Sequence, residues 1–142
     1  GRGKNDSGQL GDNTTTSPRK LPVQVKNSDG TGALVGIKIV AGGAKHTLAV
    51  TNDGKVWAWG NNYNGELGDN TTNTRTRPVQ VKNSDGTGSL TNVKTVGCGE
   101  WHSGAVTNDS KIWAWGYNGY GQIGDNTTLN RLLPVRSNVP MQ

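Results

Sequence analysis

Short apolar blocks separated by polar turns run along this chain: Ile37 to Val40, Thr47 to Val50, Val56 to Trp59, Val93 to Val96 and Ile112 to Trp115. Alternation puts His46, Leu48 and Val50 on one face of a strand and Thr47 and Ala49 on the other. Asn52-Asp53-Gly54 then reads as a hairpin turn, because Asp-Gly accepts the positive φ that a two-residue connection demands. The following strand, Lys55 to Gly60, is apolar on both faces, with Val56 and Ala58 pointing one way and Trp57 and Trp59 the other. Such a strand belongs between two covering layers. A polar stretch from Asn61 to Arg77 leads to Pro78-Val79-Gln80-Val81, which suits an edge strand because proline lacks the N–H a central position needs. No stretch has a 3.6-residue apolar period, so helix is expected to be nearly absent.

The whole pattern recurs. Trp57-Ala58-Trp59-Gly60 returns 56 residues later as Trp113-Ala114-Trp115-Gly116, and Val23 to Gly32 returns letter for letter at Val79 to Gly88. Gly-Asp-Asn-Thr-Thr starts at Gly11, Gly68 and Gly124. Four short antiparallel strands per repeat, covered on both faces, describe a β-propeller blade. The expected fold is therefore all-β, about two and a half blades: residues 1–36 the C-terminal part of one repeat, 37–92 a complete repeat, and 93–142 a second one cut at its C-terminal end. An open arc exposes apolar strand faces at both ends, at about 25 cal/mol per Å². The chain starts Gly1-Arg2-Gly3 without Met and is expected to be a fragment or truncated gene that self-associates when isolated.

Composition alters this picture little. Hydrophobic residues make up only 30% of the chain, with 22 glycines and a mean hydropathy of −0.68, values that alone would suit disorder. The clustering of the apolar residues argues for a turn-rich β protein instead. The net charge of +5 is spread along the chain with no nucleic-acid motif, so it reads as a solubility feature and no nucleic-acid partner is expected. No segment approaches the ~20 apolar residues of a membrane span. Cys98 is single, aligns with Gly42, and is expected to be a small buried thiol.

Val40-Ala41-Gly42-Gly43-Ala44-Lys45-His46-Thr47-Leu48-Ala49-Val50 and its copy from Val96 to Val106 resemble the repeat of the regulator of chromosome condensation family; the copy departs at Gly104, where the family prefers an aliphatic residue. Trp59-Gly60 and Gly65-Glu66-Leu67-Gly68 look like two further elements of that repeat. The resemblance implies a propeller, usually seven-bladed, that binds other proteins. Family members include a guanine-nucleotide exchange factor that acts on a small GTPase and binds chromatin, and inhibitors that plug β-lactamases. The exchange factor's inserted wedge has no equivalent here, so its activity is not carried over. The near-identical units with Asn/Thr-rich loops look like bacterial members, which implies a secreted or cell-surface protein.

Several residue types invite chemical readings. His46 and His102 have no second ligand at metal spacing and are expected to bond the backbone at a blade corner. Asp12, Asp69 and Asp125 read as turn caps, and the same stretches form sequons at Asn13, Asn70 and Asn126, with another at Asn5. Asn27 to Gly32 and its copy at Asn83 lack the acids of a calcium loop and suit an inter-blade turn. Arg19, Arg75 and Arg131 each precede a proline by three residues and form either an anion-binding or partner-facing stripe or a solvated strand flank. All four repeated Trp residues are expected in the core.

The functional expectation falls on positions that change between repeats. Ala44-Lys45 becomes Glu100-Trp101, and Asn62-Tyr63-Asn64 becomes Asn118-Gly119-Tyr120 with Tyr117 beside it. Exposed Trp and Tyr are enriched at binding hot spots. Trp101 is the first candidate contact, with Glu100, Lys45, Tyr63, Tyr117 and Tyr120; packing against a neighbouring loop is the alternative for Trp101. No catalytic constellation, cofactor or metal set is expected. The function read from the sequence is a non-enzymatic module gripping an unidentified protein partner. A glycan-binding propeller and a self-assembling structural element are the alternatives.

Overall fold

The computed structural model describes residues 1–137. Their eight strands form two four-stranded antiparallel sheets, and no helix occurs among them. The first sheet comprises β1 (Ile37–Gly42), β2 (His46–Thr51), β3 (Val56–Gly60) and β4 (Arg75–Gln80), in that order. The second repeats it with β5 (Val93–Cys98), β6 (His102–Thr107), β7 (Ile112–Gly116) and β8 (Arg131–Arg136). The outer strand begins at Arg75, earlier than Pro78, because Gly60 pairs with Arg75 across a register shift. Backbone pairing is indifferent to the polar letters Arg75-Thr76-Arg77, which hid this stretch inside an apparent loop. The hairpin turn at Gly54 (φ 80°) is kept in the second sheet by Ser110 at φ 64°.

The sheets stack face to face, with β5 lying against β1 and β2. Leu48, Val50, Val56 and Ala58 of the first sheet share one buried cluster with Ala105 and Trp115 of the second. Directional bonds lock this contact. Ser103 Oγ and Trp115 Nε1 both donate to the Glu66 carbonyl, each at 2.8 Å. His46 Nε2 lies 3.0 Å from Ser103 Oγ. Since the single Ser103 proton goes to Glu66, the His46 ring must carry its hydrogen on Nε2. The histidine thus holds the blade corner through the Ser103 hydroxyl together with the His102 backbone of the next blade. Gly43 is required beneath it, because a Cβ there would sit 2.2 Å from His46 Cε1.

Residues 1–36 contain isolated bridges, Gly3 with Arg19 and Lys26 with Ala33, but no strand. This segment nevertheless acts as a preceding blade does. Thr47 Oγ1 and Trp59 Nε1 both donate to the Gln9 carbonyl, each at 2.8 Å, repeating the bonds at Glu66. Gly11 passes so close to Trp59 that a Cβ would lie 2.8 Å from Nε1. The expectation of two bare ends therefore needs correction: Ala49 and Trp59 are buried under the N-terminal segment. On the opposite side, β6 buries Ser103, Ala105 and Thr107 but leaves His102, Gly104 and Val106 half-exposed. That face, with Ile112, is the open one; Cys98 pairs with Ser103 and packs on the buried side. Only Trp59 and Trp115 are core; Trp57 and Trp113 are half-buried, with the Arg136 guanidinium 5.8 Å from the Trp113 ring centroid.

Candidate partner-binding surface

The turn before β2 and the long loop after β3 meet at one end of each blade. Asn61 N donates to the Lys45 carbonyl at 2.9 Å, and Tyr117 N donates to the Trp101 carbonyl at 3.0 Å. The loop itself is built around one asparagine. Asn62 Nδ2 lies within bonding distance of Asp69 Oδ1 (3.1 Å), the Thr71 carbonyl (3.0 Å) and the Asn73 carbonyl (3.1 Å), while Oδ1 accepts from Leu67 N at 2.9 Å. Asn5 and Asn118 make the same set. All three are fully buried. Asn62 and Asn118 are scaffold, although they sit among the loop letters grouped as variable.

The repeated Asp residues complete this frame. Asp125 Oδ1 accepts from Thr127 N and Oγ1, and Oδ2 pairs with Arg131 Nε at 2.7 Å. Burial alone would raise the Asp125 carboxyl, but bonds from Thr127 and Arg131 outweigh it and bring the pKa down to about 2. Arg19 and Arg75 pair with Asp12 (2.8 Å) and Asp69 (3.2 Å) in the same way. The arginines are thus not a free anion-binding stripe: Arg75 and Arg131 tie the outer strands β4 and β8 to their loops, and Arg19 ties its bridge with Gly3 to the first loop. The Asn27 turn closes on itself through Thr31 N, which bonds Asn27 Oδ1 and Asp29 Oδ1. Of the sequon asparagines, Asn13, Asn70 and Asn126 are exposed, whereas Asn5 is the buried frame residue.

Glu66 does a neutral residue's work. Its Oε1 accepts from Asn64 N at 2.7 Å, as Gln9 accepts from Ser7 N and Gln122 from Tyr120 N, both at 2.8 Å. Burial raises the Glu66 pKa, partly countered by the Asn64 bonds. A carboxyl whose folded pKa is raised contributes stability below its ordinary value of 4.5 and loses it as pH rises through the folded value. Glu66→Gln is therefore expected to raise the melting temperature by a few degrees at pH 7, with the gain vanishing below about pH 4.5. Melting curves at the two pH values check this.

The candidate contacts divide between the blades. Lys45 and Tyr63 (76% exposed) belong to the first. On the second, Trp101 (41% exposed) and Tyr117 stand edge to face at 5.8 Å between ring centroids and 85° between planes. Tyr117 and Tyr120 (87% exposed) follow at 6.1 Å and 73°. Glu100 is exposed next to Trp101, and its carbonyl accepts from Ala44 N of the first blade at 3.1 Å. Gly119, standing where the first blade has Tyr63, makes the row possible: the Tyr117 hydroxyl lies over it, and a Cβ there would come within 2.2 Å. Lys45, Asn61, Tyr63 and Asn64 are thus replaced together by Trp101, Tyr117, Gly119 and Tyr120 at one corner.

The remaining chemical candidates have structural roles. Burial pushes the Cys98 thiol up to about 12, which keeps it protonated. His46 is engaged with Ser103. Among the described residues no three His, Cys, Asp or Glu side chains gather as a metal site would require, and no helix is long and apolar enough to cross a membrane.

Comparison with known proteins agrees with this geometry. A profile described as the regulator of chromosome condensation (RCC1) repeat matches residues 1–50, 53–106 and 109–142. The Ultraviolet-B receptor UVR8 of Arabidopsis thaliana is 35% identical over 134 residues, covering 94% of this chain and 28% of the receptor. The crystal structure of human WBSCR16 superimposes with a TM-score of 0.80 at 23% identity, over 98% of this chain and 34% of that one. Prp20p of Saccharomyces cerevisiae, a protein with binding properties to Gsp1p and histones, gives 0.75 at 20%, over 95% and 33%. At these identities the two structures show the fold, and the chain spans about a third or less of each relative. With β-propeller blades in its structure and the repeat matched from end to end, the chain belongs to the regulator of chromosome condensation repeat family.

Proposed function

We propose that the chain is a non-enzymatic interaction module and that the Trp101–Tyr117–Tyr120 corner of the second blade contacts a protein partner. One observation carries this reading. Of the positions at which the two repeats differ, four converge on one corner, and there the changes create a braced, exposed aromatic row. Aromatic side chains fixed before binding lose little entropy on contact. The relative Prp20p binds Gsp1p and histones, so use of this propeller for protein contact has a precedent in the fold. A glycan reading is disfavoured because its polar partners are already engaged: Asn118 and Asp125 are committed to the loop frame.

Selection of a displayed random-peptide library on the intact chain tests the proposal. Enriched peptides are expected to lose binding at least tenfold against Trp101→Ala and Tyr120→Ala. Enrichment that ignores both substitutions, or no enrichment, overturns it. Self-association is a second reading, favoured by the half-exposed His102, Gly104, Val106 and Ile112 on the open face. Light scattering decides it: mass should rise with concentration, and a strict monomer at millimolar chain rules it out.

A further inference from the structure

We propose that the open face of the second blade receives the first blade of a second copy of this chain, in exchange for that copy's own residues 1–36. This rests on the reading of that face as a self-association surface and names what docks there. The face is the third copy of a socket that is filled twice within the chain. The Gln9 carbonyl accepts from Thr47 Oγ1 and Trp59 Nε1, and the Glu66 carbonyl accepts from Ser103 Oγ and Trp115 Nε1. Among the described residues Gln122, third in that series, has no donor at its carbonyl. The His102 ring likewise lacks the hydroxyl that Ser103 gives His46. The glycines agree. A Cβ on Gly8 would meet Thr76 Cα at 2.9 Å and one on Gly65 would meet Leu132 Cδ2 at 2.6 Å, whereas Gly121, at φ 73°, has nothing within 4 Å.

The chain itself carries the matching part. Residues 120–128 differ from residues 7–15, the loop seated on Trp59, only by Tyr120 for Ser7 and Ile123 for Leu10. Thr47 and Trp59 of another copy therefore supply the donors that the Gln122 carbonyl lacks, and exchanging one loop for the other keeps both bonds. Replacing an element by its equivalent from another copy is domain swapping, a low-cost route to association. The cover given up is also the thinner one. Residues 1–36 hold no strand, and under them Thr47 and Thr51 stay half-buried. Their counterparts Ser103 and Thr107 lie under a whole sheet and are buried. A blade docked in trans removes more surface from water and covers Val106 and Ile112 as well. Each copy offers one socket and one docking face, so the contact is heterologous and either closes into a ring or runs on.

The test uses the whole chain with Cys98→Ala and pairs of introduced cysteines. Thr76 Oγ1 lies 3.3 Å from Asn13 Oδ1, so Asn13→Cys with Thr76→Cys ties residues 1–36 in place once oxidised. With that disulfide confirmed by mass spectrometry, light scattering at millimolar chain should report a monomer, and reduction should restore multimers. Asn126→Cys with Thr76→Cys, the trans counterpart, should give disulfide-linked multimers on a non-reducing gel. Gly104 stands where the first blade has buried Leu48, and a Cβ there would meet only the Trp113 carbonyl, at 3.5 Å. Gly104→Leu should therefore tighten association at least threefold, and Gly104→Lys should weaken it at least tenfold without lowering the melting temperature. Multimers undiminished by the oxidised cis pair, or indifferent to Gly104→Lys, overturn the exchange and leave self-association standing. A strict monomer at millimolar chain overturns both.

Discussion

Replacing Asn62 by alanine is expected to destabilise the chain by about 4 kcal/mol, a large share of the ~5–15 kcal/mol that holds an ordinary domain together. The substitution removes an amide that faces Asp69 Oδ1 and the Thr71 and Asn73 carbonyls, and a carbonyl that accepts from Leu67 N. Each buried group left unpaired costs ~1–3 kcal/mol. Asn62→Asp should be comparably harmful at pH 7, because it sets a second carboxylate against Asp69 in place of a donor, and it should recover partly in acid. The midpoint of urea unfolding reads both effects. Tyr63→Ala, one residue along and exposed, is the control and should move stability by no more than ~0.5 kcal/mol.

Acid should weaken the fold through His46 before the lowered carboxylates such as Asp125 titrate, with raised Glu66 acting in the opposite sense. Burial, with a smaller contribution from neighbouring His102, lowers the His46 pKa from 6.5 to about 4. The structural cause is the tautomer: Nε2 holds its hydrogen toward Ser103, and the buried Nδ1 has no partner to receive a second proton's charge. Because the folded pKa lies below the unfolded one, the unfolded chain binds the extra proton between these values. Stability is thus full above about pH 6.5 and falls as pH drops toward about 4, by about 3 kcal/mol in all. Asp125 acts in a lower window, where stability is lost as pH falls from 3.8 toward about 2. Urea midpoints across pH 4 to 7 should show the upper slope, and His46→Gln should flatten it whatever its absolute stability.

The repeat, the four-strand blade and the sites of the hairpins were legible because strand alternation and Asp-Gly turns are local signals. The asparagine frame was not. Asn62 sits between Asn61 and Tyr63 in a polar loop, and residue type gives no sign that its partners lie seven to eleven residues ahead. Yet Asn5, Asn62 and Asn118 all stand two residues after a glycine, Gly3, Gly60 or Gly116, and that recurrence was the available signal. The Arg–Asp pairs escaped for a related reason: a turn folds Arg131 back onto Asp125, so nearness in space does not follow helical or strand spacing. Trp57 and Trp59 share a strand face, but only Trp59 lies beneath a neighbouring segment. At the candidate surface, sequence singled out Trp101, Tyr117 and Tyr120 by their variation. Their contact with one another depends on Gly119, whose importance is the absence of a side chain.

The central claim is that a stable frame carries a separable binding corner. Giving the second blade the corner of the first, by Trp101→Lys, Tyr117→Asn, Gly119→Tyr and Tyr120→Asn together, tests this most directly. The frame residues Asn118, Asp125 and Arg131 are untouched, so the melting temperature should stay within ~2 °C of the parent, while peptides selected on the parent lose binding at least tenfold. A variant that melts many degrees lower would make the aromatic row a packing element, and one that keeps the peptides would move the binding surface elsewhere; either result contradicts the account.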